Sequence, residues 1–350
     1  MSVASAQLQA LATAVPRQRV AQTTAWALFR ETPRAASLSK RARALVRAVL
    51  TRDNGIDTRH IAIEPLLKTL TMDAEALNHA FEQHAPALSA EALNNALAQA
   101  GLKPTDLDGL VICTCTGYIC PGVTSHVAEK LSLDPATRLV DLVGLGCGAA
   151  IPALRTGAEM LAGGAKRIAV IAVEICSAAF FLNEDPGVIV SACLFGDGAA
   201  AAILAPEASK PALGQLSDFR SLHQPQHREA LRFVNDGGYL ANRLAREVPQ
   251  VAAEAVETLF RQAYPADAAP PETLLAHPGG QDVLAAIRER LPAYPLAESA
   301  AVLRAYGNMS SPSVLFALRR FLDAGPSAQE AWLTAFGAGF SAHACRFHAG

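Results

Sequence analysis

The feature that most constrains the fold of this sequence is an internal repeat of a strand–helix unit. Landmarks of the first half return in the second half after 161 residues. The matching pairs are Cys147 with Asn308, Leu154 with Leu315, and Thr116 with His277. A duplicated unit of this kind predicts one layered α/β body with two similar halves, rather than two independent domains.

A second repeat marks the openings of two later strands. Phe-Gly-Asp-Gly at residues 195–198 matches Phe-Gly-Ala-Gly at residues 336–339, at the shorter offset of 141. Residues 206–225 contain Pro, Ser and Lys, so they are the best candidate for the connection between the halves. We therefore place the N-terminal half at residues 1–205 and the C-terminal half at residues 206–350.

Helical and extended patterns alternate along the chain. Ser89 is the expected N-cap of a helix over residues 89–100, which Gly101 terminates. Further helices are expected over residues 147–161, 251–262 and from 308 to 322. Apolar runs typical of a sheet covered on both faces predict strands at residues 8–14, 110–115, 138–143, 168–175, 199–204, 274–276, 332–336 and 340–347.

Composition excludes several classes of protein. The chain has 350 residues, 51% hydrophobic and 18% charged, with a formal net charge of -2. Disordered chains combine low hydrophobicity with high net charge, and this chain has neither. Its balance of charge does not favour nucleic-acid binding. The most apolar stretch, residues 168–182, contains Glu174 and is too short for a membrane span.

The seven cysteines predict reduced thiols in a cytoplasmic protein. Their number is odd, the chain is long, and the first strand lies so near the N-terminus that no leader is expected before it. Cys113, Cys115 and Cys120 could be taken for metal ligands. No second ligand pair follows at a zinc-like spacing, however, and alternation along a strand explains their positions.

Cys147 is a candidate nucleophile. It stands in Gly-Leu-Gly-Cys-Gly-Ala-Ala at residues 144–150, at the start of a predicted helix. The unpaired N–H groups and the positive dipole end of a helix N-terminus favour the thiolate, which is the nucleophilic form. From this segment alone, a buried cysteine in a tight turn is an equally good interpretation.

His277 and Asn308 are candidate partners of this thiol. An apolar strand leads directly to His277 in His-Pro-Gly-Gly, and open α/β sheets bind ligands at strand ends. Taken alone, the histidine could be structural, and Asn308 in Gly-Asn-Met-Ser-Ser could be an ordinary N-cap. The repeat favours a shared site, because it puts Cys147 and Asn308 at matching helix starts and His277 at a matching strand end.

These segments resemble the type III polyketide synthases, the chalcone synthase-like family of the thiolase superfamily. His-Pro-Gly-Gly together with Gly-Asn-Met-Ser-Ser is a specific pair of motifs, and the similarity extends over essentially the whole chain. Further matching segments are Ala-Thr-Ala-x-Pro at 12–16, Asp-Leu-Asp-Gly-Leu at 106–110, Cys-Thr-Gly-x3-Pro-Gly at 115–122, Glu-Ile-Cys-Ser at 174–177, and the two Phe-Gly-x-Gly motifs.

The resemblance implies a thiolase-like five-layer αβαβα fold with two pseudo-duplicated halves, a homodimer, and an acyl-CoA starter with malonyl-CoA as substrates. Cys147 would take the starter acyl group, and His277 as imidazolium would hold its thiolate. After malonyl-CoA loses carbon dioxide, His277 Nε2 and the Asn308 amide would stabilise the enolate oxygen, at about 3 kcal/mol per donor. No metal or redox cofactor is required, and iteration with cyclisation would give an alkylpyrone, resorcinol or other phenol.

The resemblance also assigns residues to the substrate cavity. Phe195 corresponds to the gatekeeper at the junction of the coenzyme A tunnel and the cavity. The second gatekeeper position falls at Ala241 or Asn242, with Tyr239 the nearest aromatic. The other substrate-binding positions are Cys115, Thr116, Cys120, Cys176, Ala179, Gly196, Ser310 and Ala338.

Several of these positions depart from the family pattern. Cys120 replaces a methionine that reaches across the dimer, and Ala338 replaces a proline. Cys176 and Ala179 replace two pocket threonines. The loss of a hydroxyl and of volume predicts a more apolar, roomier cavity and an aliphatic or aromatic starter, unless larger neighbours refill the space.

The resemblance implies that Lys40, Arg43 and Arg47 contact the coenzyme A phosphates. They share one face of a predicted helix, and Lys and Arg bind phosphate well. A solvated helix face is an equally good interpretation of the same residues.

Two other functions remain open at this point. A single-round ketoacyl synthase III-like enzyme of fatty acid initiation would share the Cys, His and Asn set, but His-Pro-Gly-Gly argues against it. A catalytically inactive acyl-binding partner subunit would be expected to lose at least one of the three groups, and all three are present.

Overall fold

The structure is a computed structural model that describes residues 5–206, 212–325 and 329–350. The strands are β1 (Ala6–Ala14), β2 (Gln18–Ala21), β3 (Thr58–Ile61), β4 (Gly109–Cys113), β5 (Arg138–Leu142), β6 (Ile168–Glu174), β7 (Gly198–Ala205), β8 (Gly214–His223), β9 (Leu231–Asp236), β10 (Tyr239–Leu244), β11 (Thr273–Ala276), β12 (Glu330–Gly337) and β13 (Ser341–Ala349). The helices are α1 (Gln22–Phe29), α2 (Pro33–Ser37), α3 (Lys40–Thr51), α4 (Ala74–Ala100), α5 (Val123–Leu131), α6 (Ala150–Ala162), α7 (Pro186–Leu194), α8 (Val248–Ala263), α9 (Gln281–Arg290), α10 (Ala297–Tyr306) and α11 (Ser313–Asp323).

Nine strands of the described ranges form one sheet in the order β5-β4-β6-β7-β1-β8-β13-β12-β11. The strands β4-β6-β7-β1 and β11-β12-β13-β8 repeat the same order and polarity. In each set the first pair is parallel and the next two pairs are antiparallel. The sets meet where β1 pairs with β8 over only three residues. This repeated topology is what the internal duplication predicted.

Helices cover the strands in three layers. α6 and α11 lie side by side between the two halves of the sheet, and Leu154 and Leu315, a predicted repeat pair, are both fully buried there. α4 and α5 cover the outer face of the first half, and α8 and α9 cover the outer face of the second. The five-layer αβαβα fold expected from the sequence is thereby confirmed.

The strand β6 shows why the sequence has continuous apolar runs. Val170 and Ala172 face the central helices, whereas Ala169, Ile171 and Val173 face α4 on the other side. Because both faces are covered, no alternation of apolar and polar residues is required.

The helix predicted over residues 89–100 is the C-terminal part of a much longer one. α4 has 27 residues, begins after the N-cap Asp73, continues through Pro86 and ends at left-handed Gly101. The expectation that Ser89 is an N-cap is therefore wrong. Ser89 is fully buried, because one face of α4 packs along the sheet, and this packing outweighs the helix-breaking tendency of Pro86. None of the described helices, α4 included, is long and apolar enough to cross a membrane.

The prediction of a connection over residues 206–225 is wrong for most of its length. β8 occupies residues 214–223 and pairs with both β1 and β13. Its sequence, Gly-Gln-Leu-Ser-Asp-Phe-Arg-Ser-Leu-His, lacks the apolar pattern of a buried strand, and the strand is only half-buried beyond Leu216. Residues 207–211 lie outside the described ranges. The boundary at residues 205 and 206 falls after β7 and stays a prediction.

Candidate active site

Cys147 lies in a tight turn immediately before a central helix. The turn Gly146–Gly148 is a single 3₁₀ turn, and α6 begins two residues later. Cys147 is 8% exposed. The end of β12 packs against this turn so closely that a Cβ on Gly337 would lie 2.6 Å from Gly148 N and 2.9 Å from Cys147 N. Because residue 337 is glycine, β12 of the C-terminal half can pack directly against the turn that carries Cys147 in the N-terminal half.

Ser310 joins Cys147 to Asn308. Its Oγ donates to Cys147 Sγ at 3.2 Å, and its N–H donates to Asn308 Oδ1 at 2.7 Å. Ser310 has a φ of 58°, in the left-handed region that serine rarely adopts. Such local strain is typical of functional sites, and here it turns the hydroxyl towards the thiol.

Asn308 is not the N-cap that its simplest interpretation predicted, because α11 begins at Ser313. Its backbone bridges to the segment of Phe195, with Asn308 N–H donating to Leu194 O at 3.0 Å. Its side-chain Nδ2 donates to Gly279 O at 3.0 Å. The Gly279 carbonyl accepts from Nδ2 and the Ser310 N–H donates to Oδ1, so together they fix the orientation of the amide. The second hydrogen of Nδ2 remains for a ligand.

His277 follows β11 directly and is 1% exposed. Its backbone N–H donates to Thr334 O at 2.8 Å. Its ring packs edge-on against Phe336 with 5.3 Å between the ring centroids. Within the described ranges the buried Nδ1 has no hydrogen-bond partner. The backbone hydrogen bond and the packing against Phe336 thus hold the imidazole in place, without a hydrogen bond to its Nδ1 from any described residue.

Burial opposes charge on both Cys147 and His277. It raises the pKa of Cys147 to about 12, although the Ser310 hydrogen bond acts in the opposite direction. It lowers the pKa of His277 to about 3. Each group taken separately is therefore neutral at pH 7. The ion pair implied by the resemblance requires a proton to move from Cys147 to His277, with mutual attraction in the low-dielectric interior offsetting desolvation, and it stays a prediction.

The sequence interpretation missed the role of Glu174. This fully buried carboxylate ends β6, and its Oε2 accepts from Cys115 N at 3.0 Å, Thr116 N at 3.1 Å and Thr116 Oγ1 at 2.8 Å. Its Oε1 accepts from Ser311 Oγ at 2.6 Å and lies 3.3 Å from Ser310 Oγ, whose one hydrogen is shared with Cys147 Sγ. Burial raises the pKa of Glu174. A glutamate interrupting an otherwise apolar strand was the available signal.

A second missed group lies behind Phe195. Arg59, 2% exposed, donates from Nη1 to Phe195 O at 2.7 Å and from Nε to Gln22 Oε1 at 2.9 Å. Asp197, fully buried, accepts from Ser177 N at 2.8 Å and Ala62 N at 2.7 Å. These charged groups fix the backbone on both sides of Gly196, which lies against Asn308 O. The sequence contains no local pattern that pairs residue 59 with 195.

A partly open cavity of about 20 Å³ adjoins these groups. Five predicted substrate-binding residues line it, namely Thr116, Cys176, Ala179, Phe195 and Ser310. Phe180, Phe233 and Leu240 also line it. The prediction of a roomier, more apolar cavity stays a prediction, and these large side chains belong to the same wall as Cys176 and Ala179.

The remaining predicted cavity residues lie around its edge or elsewhere. Cys115 Sγ lies 3.2 Å from Ser310 Oγ. Ala338 packs on the Cys147 turn, where a Cβ on Gly146 would lie 2.8 Å from its N. Cys120 is exposed, in the loop before α5, so it does not line the cavity of its own chain.

Strand alternation corrects the prediction for Tyr239. Its ring packs on Phe181 at 4.7 Å between centroids, and Ala241 lies on the same face of β10. Leu240 and Asn242 occupy the opposite face and line the cavity. Of the candidates in this segment, Asn242 therefore meets the cavity, whereas Tyr239 and Ala241 do not.

The three predicted phosphate contacts line one surface groove. Lys40, Arg43 and Arg47 lie on one side of α3, and Arg30 after α1 and Arg52 after α3 line the same groove. The volume of the groove is about 550 Å³. All of these side chains are exposed or half-buried. Five cations in one groove form a suitable surface for an anionic ligand.

We predict that Ser310→Ala slows alkylation of Cys147 by iodoacetamide about tenfold at pH 8. The Ser310 hydroxyl stabilises the thiolate and so lowers the pKa of Cys147; its loss raises that pKa and decreases the thiolate fraction at any lower pH. The pH profile of the rate should move to higher pH. Ser311→Ala is the matched control, because it removes a neighbouring hydroxyl that donates to Glu174 rather than to Cys147. Equal profiles for wild type and Ser310→Ala would contradict this assignment.

Comparisons with known proteins agree with this fold. The sequence models of the N-terminal and C-terminal domains of chalcone and stilbene synthases match residues 1–208 and 223–342. The 3,5-dihydroxyphenylacetyl-CoA synthase of Streptomyces toyocaensis is 30% identical over 78% of this chain and 74% of its own. The 1,3,6,8-tetrahydroxynaphthalene synthase of Streptomyces coelicolor is 29% identical over 84% and 80%.

A solved structure shows the same architecture. PKS-I from the brown alga Ectocarpus siliculosus superposes with a TM-score of 0.88, covering 100% of this chain and 99% of that chain at 21% identity. The thiolase-like topology and both family domains are thus present in one chain. The protein therefore belongs to the chalcone and stilbene synthase family, the type III polyketide synthases.

Proposed function

We propose that this chain condenses malonyl-CoA iteratively and decarboxylatively onto an acyl-CoA starter, and then cyclises the chain to a pyrone or phenolic product. The observation that carries this proposal is the set of contacts joining Cys147, Ser310, Asn308 and Gly279 beside His277. The set offers a nucleophile and two hydrogen-bond donors next to a partly open cavity. The names of the relatives support an aromatic polyketide product.

Loading begins when the Cys147 thiol transfers its proton to His277 and the sulfur attacks the thioester carbonyl. A carbon–sulfur bond forms to Cys147, the bond to coenzyme A breaks, and the leaving thiolate takes up a proton from solvent, so that His277 keeps the transferred proton on Nε2 for the next step. Ser310 assists, since its hydroxyl donates to the sulfur at 3.2 Å. The starter then stays covalently attached beside the cavity.

Extension requires an enolate, which the site stabilises with fixed donors. Malonyl-CoA loses carbon dioxide, and the electrons of the broken carbon–carbon bond go to the thioester oxygen. His277 Nε2 and the unused hydrogen of Asn308 Nδ2 hold that oxygen. The enolate carbon attacks the acyl group on Cys147, the sulfur leaves, and a β-ketoacyl-CoA two carbons longer results.

Exclusion of water protects the enolate from protonation. The cavity walls are predominantly apolar, with Phe180, Phe195 and Phe233 among them. Burial of the three reacting groups has the same effect. These walls support an aliphatic or aromatic acyl starter, and the chemistry requires no metal or redox cofactor.

The assembly is proposed to be a homodimer. β5 is an edge strand of the nine-stranded sheet. Leu139 within it is 41% exposed, and Val143 directly after it is 52% exposed. Tyr118, 71% exposed, lies in the loop with Cys120. Unpaired edges and exposed apolar residues are normally covered in a stable protein. With seven free cysteines, a reducing compartment such as the cytoplasm is expected.

We predict that the purified protein releases carbon dioxide from malonyl-CoA and that Cys147→Ala forms no polyketide from any of a panel of acyl-CoA starters. The substitution removes the atom that carries the growing chain. Radiolabelled malonyl-CoA, with product identification by mass, is the measurement, and intact mass checks acylation of the protein. No decarboxylation by wild type under any condition would overturn the proposed function. Extension stopping after one round would instead favour a ketoacyl synthase III-like enzyme.

The groove on α3 is proposed to bind the coenzyme A phosphates. We predict that Arg47→Ala raises KM for malonyl-CoA about three- to tenfold at low salt, and that the difference shrinks as salt screens the contact. Arg41→Ala is the matched control, because Arg41 is exposed on the same helix but belongs to another face. An equal effect of both substitutions would show that the groove has no special role.

A further inference from the structure

Asn242 presents a polar atom that the described part of the chain leaves without a hydrogen bond. Asn242 lies on β10, is 3% exposed, and lines the cavity beside the candidate active site. Its Oδ1 is buried and has no partner within the described ranges. A buried acceptor without a donor costs about 1–3 kcal/mol, so its retention in a well-packed wall points to a ligand.

The hydrogen bonds around Asn242 fix which atom remains free. Ser191 Oγ donates to Gly187 O at 2.7 Å, so its only hydrogen is committed. Asn242 Nδ2 lies 2.8 Å from Ser191 Oγ and must be the donor in that pair. Rotating the amide by half a turn would put two acceptors face to face. The orientation of the amide is therefore fixed, and Oδ1 is left as the free acceptor.

The other polar side chains of the cavity wall are already engaged. Thr116 Oγ1 donates to Glu174 and accepts from Ile175 N. Ser310 Oγ is shared between Cys147 and its neighbours. Among the nitrogen and oxygen atoms of the described lining side chains, Asn242 Oδ1 is thus the one buried acceptor that awaits a donor.

We propose that Asn242 selects acyl chains that carry a hydroxyl group, by accepting a hydrogen bond from that O–H at Oδ1. The proposal rests on the proposed function, and it requires the acyl chain on Cys147 to displace the cavity walls, because about 20 Å³ is smaller than a phenylacetyl group. The coenzyme A groove on α3 is lined by a separate set of residues, which favours the acyl group over the nucleotide end as the source of the donor. A site built to bond a hydroxyl discriminates strongly against the analogue that lacks it.

The test measures binding in a Cys147→Ala background, so that no acyl transfer consumes the ligand. The probes are phenylacetyl-CoA and its three ring-monohydroxylated isomers, with Kd measured by calorimetry. At least one hydroxylated isomer should bind more tightly than phenylacetyl-CoA, and Asn242→Leu should reduce that preference about three- to tenfold. Tyr239→Phe is the matched control, because Tyr239 lies on the opposite face of β10, and it should leave the preference unchanged.

Three results would overturn the proposal. They are the absence of any preference for a hydroxylated isomer, a preference that survives Asn242→Leu, and an equal loss of affinity for all four probes, which would assign Oδ1 to the shared pantetheine arm. If Asn242→Leu does not fold, the double variant with Ser191→Ala removes the polar pair together and repeats the comparison. Decarboxylation of malonyl-CoA by the wild type tests the proposed function separately.

Discussion

The carboxylate of Glu174 is the interaction on which the rest of the site depends. One of its oxygens holds the backbone after β4, and the other holds the two serines that precede α11. These segments come from opposite halves of the duplicated chain. Two backbone N–H groups and several hydroxyls compensate for burying the carboxylate, and without it they would be buried donors lacking an acceptor. A single side chain thereby sets the distance between the two halves at the point where their functional residues meet.

Close contacts between backbone segments also hold the two halves together at the site. The end of β12 contacts the Cys147 turn because residue 337 is glycine. Asn308 bridges to the segment of Phe195, whose carbonyl Arg59 fixes from behind. The result is a thiol, an imidazole and an amide held by neighbours rather than by one another. The thiol and the imidazole lie where burial favours their neutral forms.

The sequence predicted the parts of this molecule that local pattern determines. Apolar runs such as residues 168–175 gave strands close to their observed bounds, and the 161-residue repeat gave the layered topology. The failures have physical causes. Ser89 and Pro86 look like a boundary but are buried against the sheet, and β8 is held by pairing with β13 and β1 rather than by its own pattern. The sequence predicted Tyr239 in the cavity as the nearest aromatic residue. Side chains alternate between the two faces of β10, however, and Asn242 lies on the face that lines the cavity whereas Tyr239 lies on the other.

The roles of Glu174, Arg59 and Asn242 could not be derived from sequence for a related reason. Each acts through partners distant along the chain, such as Ser311 for Glu174 and Phe195 for Arg59. The motifs around Cys147, His277 and Asn308 predicted the candidate reacting groups, because the chemistry of a thiol, an imidazole and an amide is intrinsic to the residue type. Supporting hydrogen bonds and an unpaired amide oxygen become visible only when the fold brings the segments together.

The free energy of unfolding of two variants at Glu174 tests the central claim most directly. In Glu174→Gln, the amide oxygen can still accept from the backbone after β4, while the serine hydroxyls rotate to accept from the amide nitrogen. Glu174→Leu keeps the volume but leaves the buried donors unpaired. Urea unfolding should place the Gln variant within about 1 kcal/mol of wild type and the Leu variant at least about 3 kcal/mol below it. A Leu variant as stable as wild type would contradict the claim that this carboxylate holds the two halves of the site together.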